Sequence, residues 1–191
     1  ELKTFYRRRL PHWQPPGATI FLTWRLTDSL PTSVLDALQD ERMRMLRVAE
    51  QFPDANDRFE SISRAERMAF AQLDHALSAS SAGPHWLAQP EVATCVAEFL
   101  HDAQGLYTLE AFCLMSNHAH MVLTPNCSPD GDFYPLSKIT QSIKGRTALE
   151  ANRILGRAGR FWQPESYDHV VRNDKELERV IKYVLWNPVK A

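Results

Sequence analysis

The stretch Tyr107-Thr108-Leu109-Glu110-Ala111-Phe112-Cys113-Leu114-Met115-Ser116-Asn117-His118-Ala119-His120-Met121-Val122-Leu123 decides the fold. Its two apolar runs, residues 107–114 and 118–123, are separated only by Met115-Ser116-Asn117, a hairpin-length connection, so they should pair antiparallel. Side chains alternate along a strand. Ala119, Met121 and Leu123 therefore turn to a helical layer, and His118 and His120 to the face that the crossover helices leave uncovered.

Upstream, residues 18–26 follow a proline-rich arm and read as a first strand, rich in β-branched and aromatic side chains. Pro31-Thr32-Ser33 opens a helix with Val34, Leu35, Leu38, Met43, Leu46 and Val48 at helical spacing. Residues 51–57 break it, a second helical pattern covers 61–77, and Ser, Ala and Gly make 78–84 a loop. A third helix starts after Pro90, with Val92, Val96, Phe99 and Leu100 as its stripe.

Downstream, residues 135–155 form a basic amphipathic helix, and 156–164 read as a loop holding Phe161 and Trp162. Residues 169–172 make a short fourth strand. Asn173-Asp174 suits the N-cap of a last helix from Lys175 to about Trp186, which Pro188 is expected to end. The expectation is an α+β fold: a ferredoxin-like βαββαβ antiparallel sheet with an enlarged helical first crossover and an appended C-terminal helix. Residues 1–191 are expected to form one domain, with a helical insertion over about 32–104.

The 191 residues suffice for one full core. Residues 18–24 are far short of the roughly 20 apolar residues of a membrane span. Arg7, Arg8 and Arg9 precede an apolar run like a signal peptide, but Pro11, Pro15, Pro16 and Gly17 interrupt it, so secretion is not expected. Cys95, Cys113 and Cys127 form no Cys-x-x-Cys pair, which argues against a disulfide framework or a zinc site and fits a reducing cytoplasm. The chain starts at Glu1 and stops at Ala191, so a fragment lacking a natural C-terminal tail is expected.

The net charge of -1 hides a segregation. Residues 133–191 carry eleven Lys/Arg and six Asp/Glu; residues 30–102 carry six and twelve. One basic face is thus available to phosphate, with Lys138, Lys144 and Arg146 on the helix and Arg7 and Arg8 at the N-terminus as candidate DNA contacts. Trp162 is a candidate for stacking on unpaired bases, although loop aromatics also cover core edges.

His118 and His120 present two pre-aligned imidazoles, which by themselves suit either a metal or a solvated sheet face. Tyr183 and Asn187, at i and i+4, share a face of the last helix. Asn187 lies in the last turn, where backbone carbonyls favour a nearby cation.

Asn117-His118-Ala119-His120 resembles the His-hydrophobic-His signature of HUH endonucleases. Tyr183-Val184-Leu185-Trp186-Asn187-Pro188-Val189-Lys190-Ala191 resembles the tyrosine helix of REP-associated tyrosine transposases. Residues 105–125, 136–152 and 161–169 also look like that family. The resemblance implies a ferredoxin-like, single-tyrosine nuclease in which His118 and His120 bind a divalent metal, Mg2+ or Mn2+, Asn187 is the third ligand and Tyr183 the nucleophile. It implies bacterial, nucleoid-associated action on single-stranded DNA hairpins of repetitive palindromic sequences. The oligomeric state is open, with a monomer the simpler expectation.

Two-imidazole, one-amide ligation leaves room for water and phosphate oxygen. Nitrogen ligands tilt the choice towards Mn2+ and cellular abundance towards Mg2+. A phenol with a pKa near 10 needs a nearby cation to become a competent nucleophile. A replication initiator or relaxase would use the same chemistry. A catalytically idle nucleic-acid-binding regulator would share the fold but lacks the sheet aromatics of RNA-binding domains, and a small-molecule metallohydrolase would give Tyr183 no role. Tyr167 reads as structural, and His169 as either a supporting or a surface group.

Overall fold

The computed structural model describes residues 5–7, 11–13, 15–102 and 104–190. Near the start, within the proline-rich arm, β1 (Phe5–Arg7) pairs antiparallel with β2 (Pro11–Trp13). The chain divides into two compact units, residues 28–84 and the remainder on either side of them.

The larger unit holds β3 (Ile20–Leu26), α3 (Pro90–His101), β4 (Tyr107–Leu114), β5 (His118–Pro125), α4 (Leu136–Ile154), β6 (Trp162–Val170) and α5 (Asp174–Lys190). That sequence is βαββαβ plus one helix. The four strands are all antiparallel in the order β4-β5-β3-β6. With the two strands that follow each crossover on the outside, this is the expected α+β, ferredoxin-like arrangement.

Central strands bury both faces, and β3 and β5 are buried almost throughout, with polar Thr23, His118 and His120 included. On one face, Ile20, Leu22, Trp24 and Leu26 join Ala119, Met121 and Leu123. They pack with Val92, Val96 and Leu100 of α3 and Leu136, Ile139, Ile143 and Ala151 of α4. Pro90 opens α3 in its first turn, where a missing N–H costs nothing. The Tyr107 hydroxyl donates to the Leu100 carbonyl at 2.8 Å, tying the start of β4 to the end of α3. Burial pushes this phenol up to about 12, so it remains a neutral donor.

The smaller unit contains α1 (Thr32–Ala49) and α2 (Ala55–Ala79), which pack on each other and are cross-linked by an Arg42–Glu66 ion pair. Gly83 adopts φ +76°, and a Cβ there would meet the Asp28 carbonyl oxygen at 2.1 Å, so glycine lets the two ends of the unit close on each other. The helical insertion thus occupies 28–84 rather than about 32–104, because α3 belongs to the core of the sheet unit.

Three boundaries differ from the sequence reading. Helix α2 starts at Ala55, since Asp54 accepts from the backbone N–H groups of Asn56 and Asp57 and caps it within a stretch that looked like a break. Strand β6 starts at Trp162 and absorbs Pro164, which an edge strand tolerates because one row of its N–H groups needs no partner. Helix α5 runs past Pro188 to Lys190. Proline there removes only the bond to the Val184 carbonyl, in a last turn with little helix left to disrupt.

No helix among the described residues is long and apolar enough to cross a membrane. Replacing the fully buried Met121 by Ala should leave a cavity costing about 2–5 kcal/mol, read as a lower denaturant midpoint with native circular dichroism.

Candidate metal and tyrosine site

On the second face of the sheet, the register sets Thr23 of β3 opposite His120 of β5, Arg25 opposite His118, and Cys113 of β4 on the other side of His120. Both imidazoles are fully buried, which excludes the solvated-face reading. Their Nε2 atoms approach to 3.1 Å. Phe21 stacks on His120 with ring centroids 5.7 Å apart and a 19° interplanar angle, fixing the plane of that imidazole.

Each ring is oriented through its other nitrogen. His118 Nδ1 lies 2.7 Å from Asn117 Oδ1, an oxygen that can only accept, so Nδ1 is the protonated atom and Nε2 presents a lone pair. His120 Nδ1 lies 2.7 Å from the Thr23 hydroxyl, which is able to accept in the same way. In that tautomer both Nε2 atoms turn their lone pairs inward, whereas a Thr23 hydroxyl that donates to Nδ1 makes His120 Nε2 the donor to His118 Nε2. Neighbouring oxygens that set the tautomer of imidazoles are the usual support of metal-ligating histidines.

Helix α5 crosses this face, packing chiefly on β4 and also on β5. It buries Val184 and Asn187 against the sheet. Asn187 Nδ2 stands 3.0 Å from His120 Nε2, and a half-turn of the amide exchanges Nδ2 for Oδ1 at the same place. The donor set then becomes two imidazole nitrogens and one amide oxygen, which fits a divalent cation with open positions. Tyr183, half-buried, sets its ring edge-on to His120 at 5.5 Å and to Phe21 at 5.8 Å. The four residues expected from sequence thus meet in one place.

The sequence marks Asn117 only as part of a motif and Thr23 only as a strand residue. No local signal marks Thr23, since its position across from His120 arises from strand register alone. Tyr167 pairs with Thr23 from β6 and meets Phe21 edge-on at 6.3 Å, on the same face as the site.

The start of α5 is fastened by Glu176. Its carboxylate accepts from His169 Nε2 at 3.0 Å, from the Arg172 backbone N–H at 2.9 Å and from Arg179 at 3.1 Å. The Asn173 side chain accepts from the Glu176 N–H at 3.0 Å, as an N-cap does. His169 is therefore a support of the tyrosine helix. Burial alone would raise the Glu176 pKa, but the Arg172 N–H, His169 and Arg179 together hold it below its ordinary value.

The basic residues expected at DNA are mostly engaged elsewhere. Lys144 Nζ donates to the carbonyls of Gln163, Pro164 and Glu165 at 3.0, 3.0 and 3.3 Å, gripping the strand around its proline. Arg146 pairs with Asp102 at 3.0 Å and lies over the Phe99 ring, and Lys138 lies over Tyr134. Trp162 is buried, donates to the Thr147 hydroxyl at 2.8 Å and packs against Trp24 and Phe161, so it presents no surface for base stacking. Arg8 and the Arg7 side chain lie outside the described residues.

No protein-family model matches the chain. Over 88 residues it is 27% identical to a curated Haemophilus influenzae protein named "Putative REP-associated tyrosine transposase". The match takes in 42% of this chain and 48% of that protein, so the chain spans about half the length of the curated relative it matches. The family resembled by the sequence motifs is thus also the one in the relative's name.

Among solved structures, a REP-associated tyrosine transposase bound to a REP hairpin is similar at a TM-score of 0.45 and 18% identity, over 97% of this chain and 72% of that one. A "putative transposase" from Deinococcus radiodurans follows at a TM-score of 0.41 and 13% identity, over 87% and 88%. Both scores lie below 0.5, and the fold assignment rests on the strand order.

Because the Glu176 pKa is lowered on folding, its contribution to stability is complete above the ordinary carboxylate pKa and is lost as pH falls through the lowered value. The protection factors of α5 amides, taken relative to intrinsic exchange at each pH, should fall over that acidic window. In Glu176→Gln, exchange should already be faster at neutral pH and should lose most of this dependence.

Proposed function

We propose that the chain is a transposase-type enzyme that cleaves and rejoins single-stranded DNA at hairpin-forming sequences through a covalent bond to Tyr183. One observation carries the reading: a phenol and an amide from α5 converge on the two imidazoles of β5. Neither a purely structural histidine pair nor a small-molecule hydrolase accounts for the phenol. The hairpin substrate is proposed because the motifs resemble REP-associated tyrosine transposases and the curated relative bears that name.

His118, His120 and Asn187 would hold Mg2+ or Mn2+, which supplies charge neutralisation for the non-bridging phosphate oxygens. Thr23 and Asn117 keep both Nδ1 atoms occupied, so that both Nε2 atoms point inward. Tyr183 Oη forms a bond to phosphorus as the bond from phosphorus to a sugar oxygen breaks. The phenol proton leaves to solvent and the departing oxygen takes one up. The strand remains on Tyr183 as a phosphotyrosine, and attack by a free hydroxyl on that phosphorus reverses the step without an external energy source. Burial of the site on α5 and the sheet holds the reacting groups in place, which is most of what such a displacement needs.

The wild-type protein, incubated with a labelled single-stranded hairpin and Mn2+ or Mg2+, should form a protein–DNA adduct that survives denaturation, and Tyr183→Phe should form none. An adduct in the mutant would defeat the assignment of the nucleophile, and none in the wild type with any hairpin or metal would defeat the proposal. Separately, Thr23→Val and Asn117→Ala should each weaken Mn2+ binding, measured by titration calorimetry, by roughly 10–100-fold. Unchanged affinity in both would remove them from the site.

A further inference from the structure

The outer flank of α5 carries a stripe that the buried site does not use. Lys175, Arg179, Lys182 and Trp186 stand at i, i+4, i+7 and i+11 and are all exposed, with 60% of Trp186 open to solvent. The stripe is roughly 16 Å long and runs beside Tyr183. Viewed down the axis, Trp186 lies about 60° to one side of Tyr183 and Asn187 about 40° to the other. The phenol thus stands between the candidate metal ligand and the exposed indole.

Three cations line this flank, with the exposed acid Glu178 at its edge. Arg179 touches Glu176 yet keeps 67% of its side chain exposed. Lys175 and Lys182 have no ion-pair partner among the described residues. Glu176 turns inward and Asp174 sits farther round the helix, while Glu178 borders the stripe one turn from Lys175 and from Lys182. The cations of α4, by contrast, are each engaged, Lys144 with carbonyls, Arg146 with Asp102 and Phe99, Lys138 with Tyr134 and Arg153 with Glu150. An exposed indole at the end of a row of cations is the combination that binds unpaired nucleic acid, with cations along the phosphates and a ring under a base.

We propose that this stripe is the track that lays a DNA single strand into the site, with Lys175, Arg179 and Lys182 at phosphates and Trp186 stacked on the base next to the phosphate that Tyr183 attacks. The proposal rests on the reading of Tyr183 as nucleophile, but binding alone tests it. A base inside a duplex has no free face for the indole, so the stacking contribution belongs to single strands.

In a Tyr183→Phe background, which prevents cleavage, binding of a fluorescein-labelled oligothymidylate is followed by anisotropy over a range of salt. Trp186→Ala should raise Kd roughly tenfold, and Trp186→Phe should retain most of the affinity. Lys175→Gln and Lys182→Gln should each reduce the slope of log K against log salt by about 0.7. Oligothymidylate should quench tryptophan emission, and the quench should disappear in Trp186→Phe. All these side chains are exposed, so folding is expected to persist, as circular dichroism would show.

Unchanged Kd in both Trp186→Ala and Lys182→Gln overturns the proposal, as does an equal loss of affinity for blunt duplex DNA in Trp186→Ala. The adduct assay on protein with Tyr183 intact separates the two ideas. Adducts together with unaltered binding by the stripe variants reject the track alone. Weakened binding by those variants without any adduct supports the track and rejects the proposed nucleophile.

Discussion

The register of β3 on β5 is the constraint on which the rest depends. Six residue pairs, from Ile20 opposite Leu123 to Arg25 opposite His118, align the two central strands. Because side chains alternate with a period of two, a slip of one residue would send every apolar group to the wrong face. Burial of Ile20, Leu22, Trp24, Ala119, Met121 and Leu123 beneath α3 and α4 makes that slip prohibitive. The same alternation delivers Phe21, Thr23, His118 and His120 together to the other face. The core and the candidate site are therefore two consequences of one alignment.

Fully burying two imidazoles is costly unless their nitrogens are matched. Asn117 and Thr23 meet the Nδ1 atoms, and Asn187 reaches Nε2 of His120 from above. The remaining polarity points inward, at the spot where the proposed cation would sit. Helix α5 closes this face through Val184, the edge of Tyr183 and the Asn187 amide, and its start is fixed by Glu176. The anchor and the proposed chemistry thus stand at opposite ends of one helix.

The fate of the basic residues shows how tertiary context reassigns charge. Lys144 satisfies three consecutive carbonyls at Gln163, Pro164 and Glu165 on an edge strand, a task set by the fold. Arg146 covers Phe99 with its guanidinium while pairing with Asp102. A cation so placed gives up part of its attraction for phosphate. The flank of α5 keeps its cations in water, where an incoming strand meets them first.

Periodicity in the sequence was enough to determine the hairpin of β4 and β5, the stripes of α3 and α4, the ferredoxin-like order and the facing of His118 and His120, because each depends on spacing within one segment. The pairing of Tyr183 with Asn187 was legible for the same reason. Asp54 as a cap, Pro164 within β6 and the passage of α5 through Pro188 were not, since turn signals and chain breakers read alike until neighbouring strands and caps are known. Only the tertiary structure decided that Trp162 belongs to the core, that Lys144 is committed to backbone carbonyls, and that Thr23 supports His120. Those facts depend on contacts between residues distant in the chain, such as Thr23 and His120, and a one-dimensional pattern carries no record of which strands become neighbours or in what register.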